Sequence, residues 1–202
     1  EKTIGNVKYT FDDRGVAQDS WVHNSDKGTW KYYGDEEEPK LHTGWFEAVP
    51  SKELNSDDHE NGTTHWYYAN SKGEITIPTA DGEVGVVKTI DGKSYLFNSD
   101  GEMVTGLRIL TYDGSKITNI SSEVDTADTV KNMNSDTMKL VYFESNGAAK
   151  TGTTTITLDG TSYTFSFKSN GSPRGVGETG ISDGYIYQNG LRLTADEDTK
   201  YG

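Results

Sequence analysis

The chain has 202 residues, and its 32 acidic and 19 basic side chains give it a formal net charge of −13. Leu, Ile, Val and Phe together supply only 37 residues, which excludes a large aliphatic core and a helical bundle and is typical of disordered chains. Two features favour order instead: 11% of the residues are aromatic, and ten of the 23 glycines follow Asp or Asn, as in tight β-hairpin turns. The composition therefore predicts a turn-rich β structure held together by aromatic rings.

The same numbers disfavour several classes of protein. The chain has no cysteine, so disulfides and thiolate metal sites are excluded. Its longest apolar run, Leu140–Phe143, is too short for a transmembrane span. The negative charge disfavours nucleic acids and anionic membranes as partners and suits a cationic ligand, although solubility alone also explains it. Because the chain begins at Glu1 without a signal peptide, we expect a processed form or an excised fragment.

A four-residue strand followed by a turn that closes on glycine recurs along the chain. Its regular copies, each given from the strand to the turn glycine, are Lys8–Gly15, Trp66–Gly73, Ser94–Gly101, Leu140–Gly147 and Thr164–Gly171. A variant, Trp30–Tyr33, is followed by the acidic segment Asp35–Glu38 with Pro39 in place of the glycine, and a shortened copy, Tyr185–Gly190, comes last. Each copy forms a β-hairpin with the strand after its turn, and a stack of hairpins is stable where one alone is not.

This repeat predicts an all-β fold, a solenoid of stacked β-hairpin repeats with a short insertion. We expect N-terminal hairpin repeats over residues 1–106 and C-terminal hairpin repeats over residues 140–202, continuous with the first set. Residues 107–139 fit the pattern worst and are predicted to be an irregular insertion, in which Asp125–Met133 is a candidate short helix.

The residues of each strand divide between two faces, because successive side chains point in opposite directions. The positions six and four residues before the turn glycine are apolar in nearly every copy, as in Tyr67 and Ala69, and are predicted to form the stacking core. The positions seven and five residues before it are mostly polar. They are aromatic only in the two copies that begin at Trp30 and Trp66.

All four tryptophans lie within the first 66 residues, at equivalent points of adjacent repeats. Trp21 precedes the copy that begins at Trp30, and Trp45 precedes the copy that begins at Trp66. Exposed aromatic clusters of this kind mark binding sites. The alternative is that the four rings are additional core between hairpins, because buried aromatic residues are common.

These residues resemble the choline-binding and glucan-binding cell-wall repeats of Gram-positive surface proteins. The family pattern is approximately Thr-Gly-Trp, a spacer, Trp-Tyr-Tyr-Phe, a short turn with Gly, and Thr-Gly again. Here Thr43-Gly44-Trp45 with Trp66-Tyr67-Tyr68 matches well across a long spacer, and Ser20-Trp21 with Trp30–Tyr33 matches loosely. The closing stretch, residues 185–202 with Ala195–Asp198, also resembles the terminal repeats of such proteins.

For choline-binding members, the resemblance implies a left-handed solenoid in which the ligand lies between consecutive hairpins in a cage of about three aromatic residues. A quaternary ammonium group donates no hydrogen bond, so the faces of aromatic rings are its natural partners. Carried over to this sequence, the resemblance gives two candidate ligand sites, which are Trp45 with Trp66 and Tyr68, and Trp21 with Trp30 and Tyr32. Later copies depart from the pattern at the tryptophan positions, which are occupied by Leu107, Thr153, Ser94, Leu140 and Thr164.

Other motifs carry little weight. Gly175–Gly180 matches G-x-G-x-x-G, but a repeat hairpin follows where a dinucleotide site needs a helix. The histidines, even with Asp57 and Asp58, lack the spacing of a metal site, so we expect no metal. They are interpreted as solvated loop residues, namely His23, His42, His59 and His65. No nucleophile motif and no phosphate loop is present, so neither catalytic residues nor cofactors are predicted.

The sequence thus predicts a noncatalytic attachment module of an exported bacterial protein, extracellular and associated with the cell wall. Its expected partner is cell-wall polymer, recognised either as choline on teichoic acid or as polysaccharide, with no nucleic acid and no membrane span. Two alternatives remain. One is a glucan-binding repeat module, and the other is a structural stalk that spaces another domain from the wall and binds no ligand.

Overall fold

A computed structural model describes residues 2–5, 7–17, 20–170 and 174–194. The predicted turn residue Gly171 and the predicted terminal-repeat segment 195–198 lie outside these ranges. The strands of the described residues are β1 (Lys2–Ile4), β2 (Val7–Tyr9), β3 (Trp21–Asn24), β4 (Thr29–Tyr32), β5 (Gly44–Ala48), β6 (His65–Ala69), β7 (Gly85–Ile90), β8 (Lys93–Asn98), β9 (Gly106–Asp113), β10 (Lys116–Ile120), β11 (Met138–Phe143), β12 (Gly152–Leu158), β13 (Thr161–Phe167), β14 (Gly180–Ser182), β15 (Tyr185–Gln188) and β16 (Leu191–Arg192). Two short helices are α1 (Ser56–Asn61) and α2 (Ala127–Lys131).

The chain divides into two compact units. Unit 1 consists of Glu1–Asp81 with Phe97–Met103, and unit 2 of Gly82–Leu96 with Val104–Gly202. Three two-stranded antiparallel hairpins belong to unit 1, namely β1-β2, β3-β4 and β5-β6. The other strands form two five-stranded sheets, ordered β11-β9-β10-β7-β8 and β12-β13-β16-β15-β14. These units differ from the predicted division of the chain at residues 106 and 139. None of the described helices has the length and apolarity to span a membrane.

The predicted all-β fold of stacked hairpin repeats is confirmed, and one backbone contact recurs between successive copies. In five copies the amide two residues after the turn glycine, or after Pro39, donates a hydrogen bond to the first strand residue of the preceding copy. The N···O distances are 2.8–3.0 Å for Leu41 to Lys8, Ile75 to Trp30, Met103 to Trp66, Ala149 to Ser94 and Gly177 to Leu140. The copies at Ser94 and Leu140 are therefore neighbours, and the chain between them is an insertion in the stack.

This insertion is not irregular, contrary to the prediction. Residues 107–139 contain most of β9 and all of β10 and α2, and β9 and β10 pair as a hairpin around Asp113-Gly114. Strand β9 also pairs with β11. Buried apolar residues such as Leu107 and Ile109 alternate along β9, and this period-two pattern explains why the segment forms a strand. The candidate helix is confirmed as the shorter α2, whereas α1 is not among the predicted elements.

The turn of the last regular copy closes on Gly175, four residues after the predicted Gly171, which lies outside the described residues. Lys168 donates its N–H to the carbonyl of Val176, and Gly175 donates to the carbonyl of Lys168, both at 2.8 Å. The copies at Ser94 and Leu140 close their turns with the same pair of bonds. The segment that matches G-x-G-x-x-G is therefore a turn that leads directly into strand β14.

The predicted core face is buried in most copies. Tyr67, Ala69, Phe97, Val141, Phe143, Phe165 and Phe167 are each less than 5% exposed. Phe11, in the first copy, is 38% exposed. The opposite face is also buried at Leu96 and Leu140, contrary to the expectation of a mixed, largely polar face, because these side chains pack in clusters with residues of the insertion and of the following copy.

Gly101 lies close to the preceding copy, so its substitution measures how tightly two successive copies pack. It closes its turn with φ +79°, and a Cβ there would lie 2.6 Å from Ile75 Cδ1 and 3.3 Å from the Thr76 carbonyl oxygen. Gly62 has φ +68° and open space around it. We expect Gly101→Ala to lower the free energy of unfolding by about 2–4 kcal/mol, from the left-handed backbone plus overpacking, and Gly62→Ala by about 1 kcal/mol, from the backbone alone.

Urea unfolding followed by tryptophan fluorescence measures both losses, because all four tryptophans belong to unit 1. Equal losses for the two variants would contradict the close packing of Gly101 on the preceding copy.

Candidate functional site

Strands β5 and β6 bring the three residues of the first candidate site onto one face. In their antiparallel register Trp45 lies opposite Tyr68, and Glu47 lies opposite Trp66. Because side chains two residues apart share a face of a strand, all four point the same way. The rings of Trp45 and Tyr68 meet edge to face, with centroids 5.1 Å apart and an interplanar angle of 69°. This face therefore carries three aromatic rings and one carboxylate.

Trp66 is the most exposed tryptophan of the chain, at 46%, whereas Trp45 and Tyr68 are half-buried. Glu47 is exposed, and its Oε1 accepts a hydrogen bond from the Thr64 hydroxyl at 2.5 Å, which orients the carboxylate. The arrangement leaves ring surface and negative charge accessible at the same place. Both are what an organic cation requires of a binding site.

The turn of the next copy closes one side of this face. The Phe97 ring centroid lies 5.8 Å from that of Trp45. Met103 forms a β-bridge with Phe97, and its N–H donates to the carbonyl of Trp66 at 2.8 Å. We call Trp45, Trp66, Tyr68 and Phe97 with Met103 the aromatic notch. Sequence reasoning missed Phe97, Met103 and Glu47, although the hairpin register and the regular spacing of the copies point to them.

Trp21 and Tyr32, from the second candidate site, lie against the core of unit 1. Their ring centroids are 4.9 Å apart. Trp21 also meets the buried Tyr67 edge to face at 4.9 Å, and Tyr32 stacks on the buried Phe46 at 5.3 Å with an interplanar angle of 6°. The rings are therefore brought together as predicted, but other aromatic side chains of the next hairpin occupy the space beside them.

Trp30 is the equivalent of Trp66, but it is only 7% exposed. It stacks on His23 with ring centroids 4.2 Å apart, and its carbonyl accepts the Ile75 N–H. The second set thus corresponds to the alternative that sequence left open, additional core between hairpins. We restrict the proposed ligand site to Trp45, Trp66 and Tyr68.

The copy at Ser94 presents a different groove, which lies within unit 2. A cavity of about 400 Å³ is bordered there by Val87, Ser94, Leu110, Val141 and Arg174, among others. Ser94 and Leu96 stand where Trp66 and Tyr68 stand in the preceding copy, as the equivalent backbone bonds show. Tyr112 and Phe143 also border this cavity, but Trp66 and Tyr68 have no aromatic equivalents in it, and the positive charge of Arg174 disfavours a quaternary ammonium group.

A polar cluster lies on the other face of β6. His65 Nε2 is 2.9 Å from Asp58 Oδ2 and 3.7 Å from Glu102 Oε1. Asn55, the N-cap of α1, donates from Nδ2 to these same two oxygen atoms at 2.8 and 3.0 Å. Sequence reasoning treated His65 as a solvated loop residue, but it is half-buried in this network.

The polar cluster creates a strongly negative environment. Burial and the neighbouring charge of Glu102 raise the pKa of Asp100. Burial also raises the pKa of the Tyr67 hydroxyl, and the charges of Glu102, Asp100 and Asp58 raise it further. Tyr67 is fully buried, and its hydroxyl has no hydrogen-bond partner.

Fold and site together define an all-β hairpin-repeat protein with an aromatic notch. No protein-family model and no curated protein matches the sequence. Two crystal structures of choline binding protein F from Streptococcus pneumoniae do match in structure. Crystal form II is 22% identical with a TM-score of 0.51, and the match covers 92% of this chain and 44% of that one. The structure in the presence of a tetrasaccharide-pentapeptide peptidoglycan analogue is 21% identical with a TM-score of 0.53, covering 96% and 46%.

These similarities establish the fold. The chain spans less than half the length of choline binding protein F. The chain has the fold of stacked β-hairpin repeats that the sequence predicts.

The two equivalent tryptophans Trp30 and Trp66 are expected to differ in their contribution to stability. Trp30→Ala empties a buried, stacked position and should lower the free energy of unfolding by about 3–5 kcal/mol. Trp66→Ala removes a side chain that is nearly half exposed and should lower it by about 1 kcal/mol. Urea unfolding followed by circular dichroism gives both values, and a larger loss for Trp66→Ala would contradict the assignment of Trp30 to the core.

Proposed function

We propose that the chain is a noncatalytic cell-wall attachment module that binds choline groups of wall polymer in the aromatic notch. The observation that carries the proposal is the shared face of Trp45, Trp66, Tyr68 and Glu47, with Trp66 exposed. A net charge of −13 adds attraction for a cation. The likeness in fold to choline binding protein F supports the same function, as do the sequence motifs that resemble its family.

The chemistry of the notch matches a trimethylammonium group. Such a group spreads its positive charge over methyl groups, so it is attracted to ring faces and to a nearby carboxylate. Each ring contact contributes about 0.5–2 kcal/mol, so three rings are on the order of 2–6 kcal/mol. A dissociation constant of about 1 mM corresponds to about 4.1 kcal/mol, which sets the expected affinity in the millimolar range.

A structural role is proposed for the rest of the chain. Trp21 and Trp30 pack within unit 1, and the equivalent groove in unit 2 is bordered by Arg174. These copies keep the backbone bonds of the stack, and the rings that border the unit 2 groove, Tyr112 and Phe143, share it with the positive charge of Arg174. We infer that they space the binding notch from whatever adjoins the chain, in an exported protein located at the cell wall.

Titration with choline tests the proposed site. We expect a saturable change in tryptophan fluorescence at millimolar choline, because Trp45 and Trp66 contact the ligand. Trp45→Ala and Trp66→Ala should each weaken binding by about twofold to thirtyfold, which is the loss of one ring contact of about 0.5–2 kcal/mol. Tyr185→Ala is the matched control, because Tyr185 is 45% exposed and stacks with Arg192 far along the chain from the notch.

Binding that persists in both tryptophan variants, or that is lost in Tyr185→Ala, would contradict the proposed location. No response of the native chain at millimolar choline would exclude choline as the ligand.

The role of charge is tested with a neutral analogue. In 3,3-dimethylbutan-1-ol a tert-butyl group replaces trimethylammonium, so shape is preserved and charge is removed. We expect binding at least about tenfold weaker than that of choline, because the cation–π contribution is lost. Equal binding of the two would indicate a purely apolar notch. Stronger binding of a chitooligosaccharide than of choline would favour the polysaccharide alternative.

The carboxylate of Glu47 should strengthen choline binding without being essential. Glu47→Gln keeps the shape and the Thr64 contact but removes the charge, so we expect choline affinity to fall about twofold to fivefold. Glu60→Gln is the control, since Glu60 lies on α1 and pairs with Lys52 at the surface. An equal effect of the two substitutions would show that net charge, and not the position of Glu47, determines the affinity.

A further inference from the structure

Three side chains on the opposite face of β6 from the aromatic notch hold donor atoms at metal-ligand spacing. One atom each from Asp58, His65 and Glu102 lies within 4.8 Å of the other two. His65 Nε2 is 2.9 Å from Asp58 Oδ2 and 3.7 Å from Glu102 Oε1. With bonds of about 2.0–2.2 Å to Zn²⁺, tetrahedral ligand atoms are separated by roughly 3.3–3.5 Å. The observed distances lie on either side of this value.

We propose that Asp58, His65 and Glu102 form a binding site for a divalent transition-metal ion, with Zn²⁺ as the preferred ion. One imidazole nitrogen and two carboxylate oxygens are a donor set that Zn²⁺ accepts, and three protein ligands leave a fourth position for water. Ca²⁺ prefers six to eight oxygen ligands and is expected to bind more weakly.

An independent observation points to a ligand at this place. Tyr67 is fully buried, and its hydroxyl has no hydrogen-bond partner among the described residues. An unsatisfied buried hydroxyl is costly, so a native structure normally supplies a partner. Water on a bound ion is such a partner, and Tyr67 shares the face of β6 with His65.

Two amide side chains orient the carboxylates. Asn55 donates from Nδ2 to Asp58 Oδ2 and to Glu102 Oε1, at 2.8 and 3.0 Å. Asn98 donates from Nδ2 to the other carboxylate oxygen of Glu102 at 2.9 Å. Hydrogen bonds of this type around a metal site fix the ligands in place and tune their affinity. Glu102 is itself only 7% exposed, which favours a defined site over a loose surface cluster.

The position of the site links two parts of unit 1. Asp58 lies on α1, in the spacer between Trp45 and Trp66, His65 directly precedes Trp66, and Glu102 directly precedes Met103. A bound ion would therefore join the spacer to the two segments that border the aromatic notch. The metal site does not depend on the proposed choline site, and the two are tested separately.

Calorimetric titration of the untagged chain with ZnCl₂ near pH 7.5 tests the site. We expect one Zn²⁺ ion per chain and a binding constant reduced at least about tenfold in His65→Ala and in Asp58→Asn, because each removes a ligand. His59→Ala is the matched control and should bind as the native chain does. His59 also lies on α1, but its Nδ1 contacts the Pro50 carbonyl at 2.8 Å.

Circular dichroism checks that each variant folds. If His65→Ala does not fold, the test rests on Asp58→Asn, because Asp58 is only half-buried. Absence of saturable 1:1 binding, or unchanged affinity in the folded ligand variants, would overturn the proposal. So would a loss of binding in His59→Ala equal to that in Asp58→Asn. Trp66→Ala should retain Zn²⁺ binding even though choline binding is lost, so failure of one proposal is distinguishable from failure of the other.

Discussion

The backbone hydrogen bond that joins each copy of the repeat to the preceding one determines where every other feature lies. It runs from the amide two residues after a turn to the carbonyl of the first residue of the preceding strand. Because this geometry recurs, the side chains seven and five residues before a turn glycine always border the following copy. The alternate side chains, such as Tyr67 and Phe97, enter the core. Even across the long insertion, Ala149 makes the same contact with Ser94.

The space between two successive copies is therefore occupied by different side chains along the chain. At Trp66 it is an open notch with accessible rings, whereas at Trp30 aromatic side chains of the next hairpin fill it. At Ser94 the rings of Trp66 and Tyr68 have no equivalent, and Tyr112, Phe143 and Arg174 border the cavity. A recurring backbone contact thus joins the copies, while the side chains at two positions per copy determine whether ring surface is accessible between them.

Much of this architecture could be predicted from the sequence, because the determinants are local. Asp-Gly and Asn-Gly pairs such as Asp91-Gly92 form turns with both φ angles positive, and strand alternation identifies the core face. The burial of Trp30 could not be predicted, since it depends on how Phe46 and Tyr67 of the next hairpin pack. Gly171 and Gly175 both suit a turn, and only the hydrogen bonds of Lys168 distinguish them.

The polar cluster of Asp58, His65 and Glu102 could not be predicted from the sequence, for a different reason. Its members come from a helix, a strand and the turn of the next copy, so their spacing in sequence resembles no metal motif. Only the register of the stack brings His65 next to Glu102. Sites of this kind, assembled across copies, require the pairing of the copies to be known first.

We propose one accessible aromatic notch among the described residues, at Trp45, Trp66 and Tyr68. A crystal structure of the chain grown in choline should show electron density for a trimethylammonium group against these three rings and none in the groove bordered by Val87 and Arg174. Choline bound in the Arg174 groove, or against Trp21 and Tyr32 with Trp66 unoccupied, would contradict it.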